Sequence, residues 1–408
     1  MRVAVIGAGV SGISAAWHLD RAGVETHLFE RATRLGGHTH THEIELNGAA
    51  ERVDTGFIVL NEPNYPALLA WFHELNVDVG TSDMSFAVSD QGAGIEYGTG
   101  TLPALLGKQI LRPDYWQIWR DMLRFYRQFD GLAHPPNEAL GTFLERERYS
   151  RAFQEWHLLP MCAALWSQTT DAALDLSLNH VIEFMRNHCM LQVNNRPPWL
   201  YVKNGSDTYI SAFRSQFTGQ IHLDRDVCVT REDGRAVVHD NRQTKAFDAV
   251  VLACHSDQAL KVLASPTPSE ACALGAFPYQ KNTVFLHTDT TFMPRRQAAW
   301  SSWNVVKLAN GAYCTTYWMN RLQNLTMQTP VLVTLNPPRD PEGTLWCGDY
   351  FHPHFTEASD QAKNSLTELN SRPTYFAGAY WGYGFHEDGF TSGQRCADRI
   401  IEDFCLAH

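Results

Sequence analysis

The chain opens on a short apolar strand, Val3 to Ile6, that runs straight into Gly7-Ala8-Gly9-Val10-Ser11-Gly12. The Gly-x-Gly-x-x-Gly spacing at that junction leaves few folds open, because each glycine has a backbone task. Gly7 makes the tight turn, Gly9 lets the backbone approach a pyrophosphate, and Gly12 lets helix and strand pack closely. Ala16, Leu19 and Gly23 follow at helix-packing positions, and a second apolar strand, Val24 to Phe29, ends in Glu30. The helix N-terminus around Val10 and Ser11 offers free N–H groups and partial positive charge to phosphate. Glu30 is placed to accept hydrogen bonds from an adenosine ribose. A complete strand–turn–helix–strand–acid unit predicts an α/β fold with a Rossmann-type dinucleotide site.

With 408 residues, 44% hydrophobic and 19% charged, the chain is long enough for two globular domains. Its net charge of −11 argues against nucleic acid as a partner, since phosphate backbones need a basic field. Nine cysteines without any Cys-x-x-Cys point to a reducing compartment and to no structural zinc. Neither an apolar leader nor a run of about 18 apolar residues is present, so the expectation is a cytoplasmic protein whose membrane contact, if any, is peripheral.

The stretch after Glu30 separates flavin from nicotinamide. Arg31-Ala32-Thr33-Arg34-Leu35-Gly36-Gly37-His38 is a second glycine-rich turn, which an extended FAD passing close to the backbone requires and a nicotinamide does not. This element resembles that of the FAD-dependent amine oxidase and phytoene desaturase superfamily. Val53-Asp54-Thr55-Gly56-Phe57 is similar to the superfamily turn that lies close to the flavin ring. At the other end, Thr374 to Gly378 reads as a strand ending in glycine, followed by Ala379-Tyr380-Trp381-Gly382-Tyr383-Gly384-Phe385-His386-Glu387-Asp388-Gly389 and a helix from about Phe390 to Phe404. The resemblance implies that Gly378 sits near the ribityl–pyrophosphate region and that Gly389 presents its N–H to the flavin. It also implies that Val227 offers backbone groups to the adenine. Relatives carry an acid after the strand-ending glycine, where this chain has Ala379. Ribityl contacts then fall to Glu387 or Asp388, whose alternative role is to cap the last helix. No Ser-Gly-Gly-Cys phrase for covalent attachment occurs, so the FAD is expected to be non-covalent.

Matches at both ends of the chain around one cofactor imply a discontinuous FAD-binding domain, residues 1–85, 199–257 and 360–408, with an inserted α+β substrate domain, residues 86–198 and 258–359. Within the insertion, Pro113 to Asp130 reads as an amphipathic helix that either packs in the core, lines an apolar tunnel or meets a lipid surface. Strands are expected at His222 to Val229, Ala246 to Cys254, Thr283 to Thr288, Ala299 to Val306, Tyr313 to Tyr317 and Val331 to Leu335.

Four phrases narrow the resemblance: Ser82 to Phe86, His157 to Met161, Tyr317 to Gln323, and Gly382 to Gly389. Together they are similar to a bacterial family of FAD-binding proteins often encoded beside, or fused to, enzymes resembling cyclopropane-fatty-acid synthases. That resemblance implies action on modified fatty acyl chains, by dehydrogenation or desaturation of a C–C bond. Two other readings stay open: a flavin amine oxidase, and a non-redox isomerase or sugar-nucleotide mutase, for which Arg295-Arg296 is the adjacent basic pair available.

Candidate catalytic residues are His386 and Tyr383. His386 has the choice of acting as general acid or base, bonding the flavin edge as imidazolium, or simply ordering its loop. Trp318, Arg321 and Tyr380 are candidates for the substrate side. Arg321 would hold an anionic head group, or else form a structural salt bridge. His38, His40 and His42 alternate, but no carboxylate or cysteine pattern accompanies them, so no metal site is expected.

Overall fold

Five parallel strands drawn from distant parts of the chain form the sheet beneath the glycine turn. Their order is Gln220–His222, Glu25–Phe29, Arg2–Ile6, Ala249–Leu252, Thr374–Phe376. The computed structural model describes residues 1–129, 138–166, 169–192 and 196–405. The central strands are buried on both faces, which explains why Val3–Ile6 and Ala249–Leu252 read as continuous apolar runs. The first helix, Val10–Arg21, and the last, His386–Cys405, lie against one another on this sheet. Gly389 and Gly393 make that approach feasible: a Cβ on Gly389 would come within 2.7 Å of Val10 Cγ1, and one on Gly393 within 2.1 Å of the Ser11 carbonyl oxygen. Ser14 Oγ ties the pair by donating to the Phe390 carbonyl at 2.6 Å.

Two expected strands prove to be two elements each. His222 to Val229 breaks at Asp224, whose φ is +57°. Gln220–His222 stays in the parallel sheet, while Val227–Glu232 joins an antiparallel meander with Arg235–Asp240 and Thr244–Phe247. Ala246 to Cys254 breaks at Asp248, whose carboxylate accepts from the Arg2 N–H at 2.7 Å and so marks the handover from meander to parallel sheet. Apolar runs carry no signal of such corners.

A second sheet has seven strands in the order Trp346–Pro353, Tyr279–His287, Leu332–Leu335, Tyr313–Trp318, Trp303–Lys307, Phe86–Asp90, Ile95–Gly98. Helices from the 102–187 stretch cover it. Pro113–Phe129 buries Tyr115, Ile118, Met122, Phe125, Tyr126 and Phe129 and leaves its basic face outside, so its aromatic stripe belongs to the core. The expected last residue, Asp130, lies outside the described residues. Each such buried side chain contributes roughly 2 kcal/mol, and Phe125→Ala would cost about 3–5 kcal/mol. The helical stretch Arg151 to Trp166 contains a wider turn at Gln154–Leu158. Pro160 just beyond it has no N–H to donate and crowds the preceding carbonyls, which is the usual setting for such a bulge. No described helix is long and apolar enough to cross a membrane.

Candidate active site

The two glycine-rich turns lock together backbone to backbone. A Cβ on Gly12 would sit 1.8 Å from the Gly7 carbonyl oxygen, and one on Gly37 would sit 3.0 Å from Gly9 Cα. The Gly36 N–H donates to the Ala8 carbonyl at 2.8 Å. Arg34 closes the second turn by donating to the carbonyls of Gly37 at 2.7 Å and Thr39 at 2.9 Å. The glycines therefore serve the contact between the turns as well as the approach of a ligand. Glu30 bridges both: its carboxylate accepts from the Ala8 N–H at 2.7 Å and the Ala32 N–H at 2.8 Å. Its remaining lone pairs stay available to a ribose.

Above these turns opens a cavity of about 540 Å³. Most of the expected cofactor residues line it: Gly7, Gly9, Val10, Ser11, Glu30, Arg31, Gly36, Gly37, His38, Thr55, Gly56 and Gly378, joined by Tyr380 and His386. Three observations test whether a dinucleotide suits this wall. Gly9 has no heavy atom within 4 Å of where a Cβ would stand, leaving open space over the turn. The first helix has no side-chain cap, so the N–H groups of its first turn are free to meet phosphate. The Nε2 of His38 and the hydroxyl of Tyr380 are buried without partners. The residues present fit an FAD.

Histidines ring the wall, and all are held neutral. His386 stacks on Phe57, ring centroids 3.7 Å apart, and its Nε2 meets Thr39 Oγ1 at 3.0 Å and the Tyr209 hydroxyl at 3.3 Å. Desolvation pushes its pKa down to about 3, so the ring is neutral in the protein without cofactor. His38 lies 5.1 Å from His352 and 5.7 Å from His255, ring to ring, and desolvation followed by its histidine neighbours drives its pKa well down. His352 Nδ1 accepts from the Asn282 side-chain amide at 2.9 Å, so the proton of the neutral ring resides on Nε2. His40 and His42 contact each other and Trp346, and His42 Nε2 also meets Thr55 Oγ1 at 3.1 Å.

Several expected site residues do not reach the cavity. Tyr383 points away and donates to Glu183 at 2.9 Å, so the loop presents Tyr380 and His386 but not the tyrosine between them. Arg321 forms an ion pair with Asp83 at 3.0 Å, and Trp318 bonds to Asn320 while its ring meets Trp300 edge-on; both are structural. Asp388 accepts from the Phe385 N–H at 2.9 Å, half of a capping box at the start of the last helix. Glu387 instead caps the helix Pro66–Glu74, accepting from the N–H groups of Ala67 and Leu68, both at 2.9 Å. The Gly389 N–H donates to the Phe385 carbonyl at 3.1 Å and is not free for a flavin, because the helix begins at His386 and not near Phe390. Val227 pairs with Asp240 in the meander and is not a wall residue. Gly12 sits under the wall, in the packing role its spacing implied. Of the basic pair, Arg296 is occupied with the carbonyls of Ala104 and Leu106.

Other wall residues had no site role from the sequence: His255, Tyr279, Tyr350 and His352, and the apolar Met84, Ala164, Leu165, Phe184, Trp303 and Tyr317, of which Met84 and Tyr317 lie within the phrases at 82–86 and 317–323. They converge from separate strands and helices. The small-residue strand end before His255 and the two phrases holding Met84 and Tyr317 were the signals available for them. Asp54 was visible as a motif, yet it is a buried staple rather than wall: its carboxylate accepts from Ser206 N–H, Ser206 Oγ, Thr41 Oγ1 and the Gln323 amide.

A parallel sheet with paired glycine turns, an acid that ends the second strand between them and a returning C-terminal strand defines a dinucleotide-dependent flavoprotein. Residues 10–342 match the model of the flavin containing amine oxidoreductases, and the chain belongs to that family. It is an FAD-dependent oxidoreductase. The flavin-dependent L-tryptophan oxidase RebO of Lentzea aerocolonigenes is 40% identical over 55 residues, which cover 14% of this chain and only 12% of that protein. Similar folds include cyclohexylamine oxidase from Brevibacterium oxydans IH-35A, with a TM-score of 0.72 at 15% identity over 99% of each chain. A putrescine oxidase bound to putrescine has a TM-score of 0.70 at 15% identity, over 98% of this chain and 99% of that one. A CLA-producing fatty acid isomerase from P. acnes also reaches 0.70, at 14% identity over 98% of each chain.

Proposed function

We propose that this enzyme dehydrogenates a C–C bond in an apolar, modified fatty acyl substrate. The observation that carries this reading is the wall supplied by the seven-stranded sheet and its covering helices. Met84, Ala164, Leu165, Phe184, Trp303 and Tyr317 offer a chain-sized apolar lining. Among the described wall residues from that part of the molecule, Asp349 is the sole carboxylate, and it is tied to Lys281 at 2.9 Å. An acyl chain needs no charged partner there, whereas an amine would have to rest on the aromatic rings alone. Residues 86–198 and 258–359 are read as the substrate-holding part, with FAD held non-covalently by the remainder.

FAD, when bound, supplies the acceptor for the two electrons that leave the carbon chain. The protein's share is to bind, orient and exclude water. Gly7–Gly12, Gly36-Gly37 and Glu30 hold the nucleotide end. His386, fixed by Thr39 and Tyr209, orders the loop that walls the cavity at the C-terminal end. His352, neutral with its proton on Nε2, is a donor set among aromatic rings; its partner Asn282 is itself held by Asn336 at 2.7 Å.

The test is anaerobic mixing of the yellow holoenzyme with free, phospholipid-bound and methyl-branched acyl chains, and separately with primary amines. Bleaching by an acyl class, with a new double bond in the product, supports the proposal. Bleaching by amines, with peroxide released in air, replaces it with amine oxidation. Movement of an existing double bond without net bleaching, as the fold likeness to a fatty acid isomerase allows, replaces it with isomerisation.

A further inference from the structure

Five of the eight strongly exposed large apolar side chains among the described residues fall in one short stretch: Leu102, Leu106, Leu111, Trp116 and Leu123. Leu111 is 85% exposed, Leu102 70%, Trp116 55% and Leu106 49%. Isolated exposed leucines need no explanation, but a contiguous group does. Leu102, Leu106 and Leu111 belong to the turn that leads into Pro113–Phe129, and Trp116 and Leu123 lie on the outer face of that helix, opposite its buried aromatic stripe.

The turn is built to hold them out. Arg296 reaches beneath it and donates to the carbonyls of Ala104 at 3.0 Å and Leu106 at 3.2 Å. The Tyr115 hydroxyl donates to the Leu105 carbonyl at 2.8 Å, and Trp116 Nε1 to the Ile110 carbonyl at 2.8 Å. A backbone pinned at four carbonyls cannot fold its leucines back under the surface.

The charge around them runs opposite to the rest of the chain. Residues 102–128 carry five basic residues against two acids, within a protein of net charge −11. Lys108, Arg120, Arg124 and Arg127 are exposed; Arg120 also meets the buried Asp121 at 3.1 Å and Arg124 the half-buried Glu147 at 3.6 Å, while Asp114 is paired with Arg112 at 2.6 Å. Apolar side chains fringed by cations match the interface of an anionic bilayer, where leucine and tryptophan insert at headgroup depth and lysine and arginine meet the lipid phosphates. A two-fold contact with a second copy would set this basic fringe against itself.

We propose that the turn Leu102 to Leu111, with Trp116, docks the enzyme peripherally on a membrane surface containing anionic lipid. The inference stands on this surface alone and does not depend on the acyl reading of the cavity.

The experiment is co-sedimentation of the FAD-loaded enzyme with phosphatidylcholine vesicles, with and without phosphatidylglycerol. The enzyme is expected to sediment with the anionic vesicles and to be released by raised salt. Leu111→Asp and Leu102→Asp should each weaken partitioning by about tenfold, with the flavin spectrum unchanged as evidence of folding. Leu345→Asp, an exposed leucine elsewhere, should leave it unaltered. Absence of vesicle binding, or binding indifferent to the Leu111 and Leu102 substitutions, overturns the proposal. So does a dimer that Leu111→Asp converts to monomer without any vesicle affinity.

Discussion

Around Gly7–Gly12 and Arg31–His38 the cavity wall is mostly backbone; from Phe57 and Met84 across the seven-stranded sheet it is entirely a matter of side chains. In the first region glycines bring main chain within 3 Å of main chain, and one acid and one arginine satisfy the exposed amides and carbonyls. In the second, neutral histidines and aromatic rings from separate elements face one volume. The first arrangement tolerates no added atom at Gly7, Gly12 or Gly36, and leaves room only over Gly9. The second tolerates exchange of one ring for another, which is how a common cofactor site can serve different substrates.

The contrast breaks most sharply at Gly12. Gly12→Ala places a methyl 1.8 Å from the Gly7 oxygen, so the turn must open; a loss above about 4 kcal/mol is expected, read as insoluble or colourless protein. Gly9→Ala, by contrast, meets no atom within 4 Å; it should keep the melting temperature of the FAD-free protein while weakening FAD roughly tenfold. Equal behaviour of the two variants would erase the distinction between packing and ligand approach.

Acidification comes next and probes the side-chain wall. His255 and His352 are held at about 4 and His386 at about 3, all below the ordinary 6.5. The unfolded chain therefore takes up protons that the folded wall refuses. Stability is full above pH 6.5 and falls as the pH drops, by at most about 1.4 kcal/mol per histidine over the first unit. Thermal melts from pH 7.5 to 5 should show this, and His255→Phe should flatten the slope by one proton. A melting temperature constant across that window would rule the neutral ring out.

Glu30→Ala removes the acceptor of two turn amides. A loss of roughly 2 kcal/mol is expected together with weaker FAD binding, checked by denaturant titration and flavin fluorescence. Unchanged stability would mean that water replaces the carboxylate. The smallest effects are expected outside the wall. Tyr383→Phe and Arg321→Ala should each cost no more than about 1 kcal/mol and leave FAD affinity and turnover untouched. A fall in turnover alone for Tyr383→Phe would return that residue to the site.

The nucleotide turn, its acid and the second glycine pair could all be read from the chain because their constraints are local: a few φ values and a close approach, each written as glycine at fixed spacing. The aromatic loop at 379–386 was read only in part. Gly384, at φ +92°, redirects the chain between Tyr383 and His386, so neighbours in sequence face different volumes. Likewise Glu387 and Asp388, adjacent acids, cap two different helices.

Residue order alone thus establishes that this chain builds a glycine-turn flavin site, since glycine's missing Cβ leaves a mark at every position where it is needed. Which rings and imidazoles complete the chamber, and that the leucines of the 102–111 turn stand out in solvent, follows from how remote strands and helices come together. Packing of that kind depends on shape and burial, and it leaves no spacing rule behind.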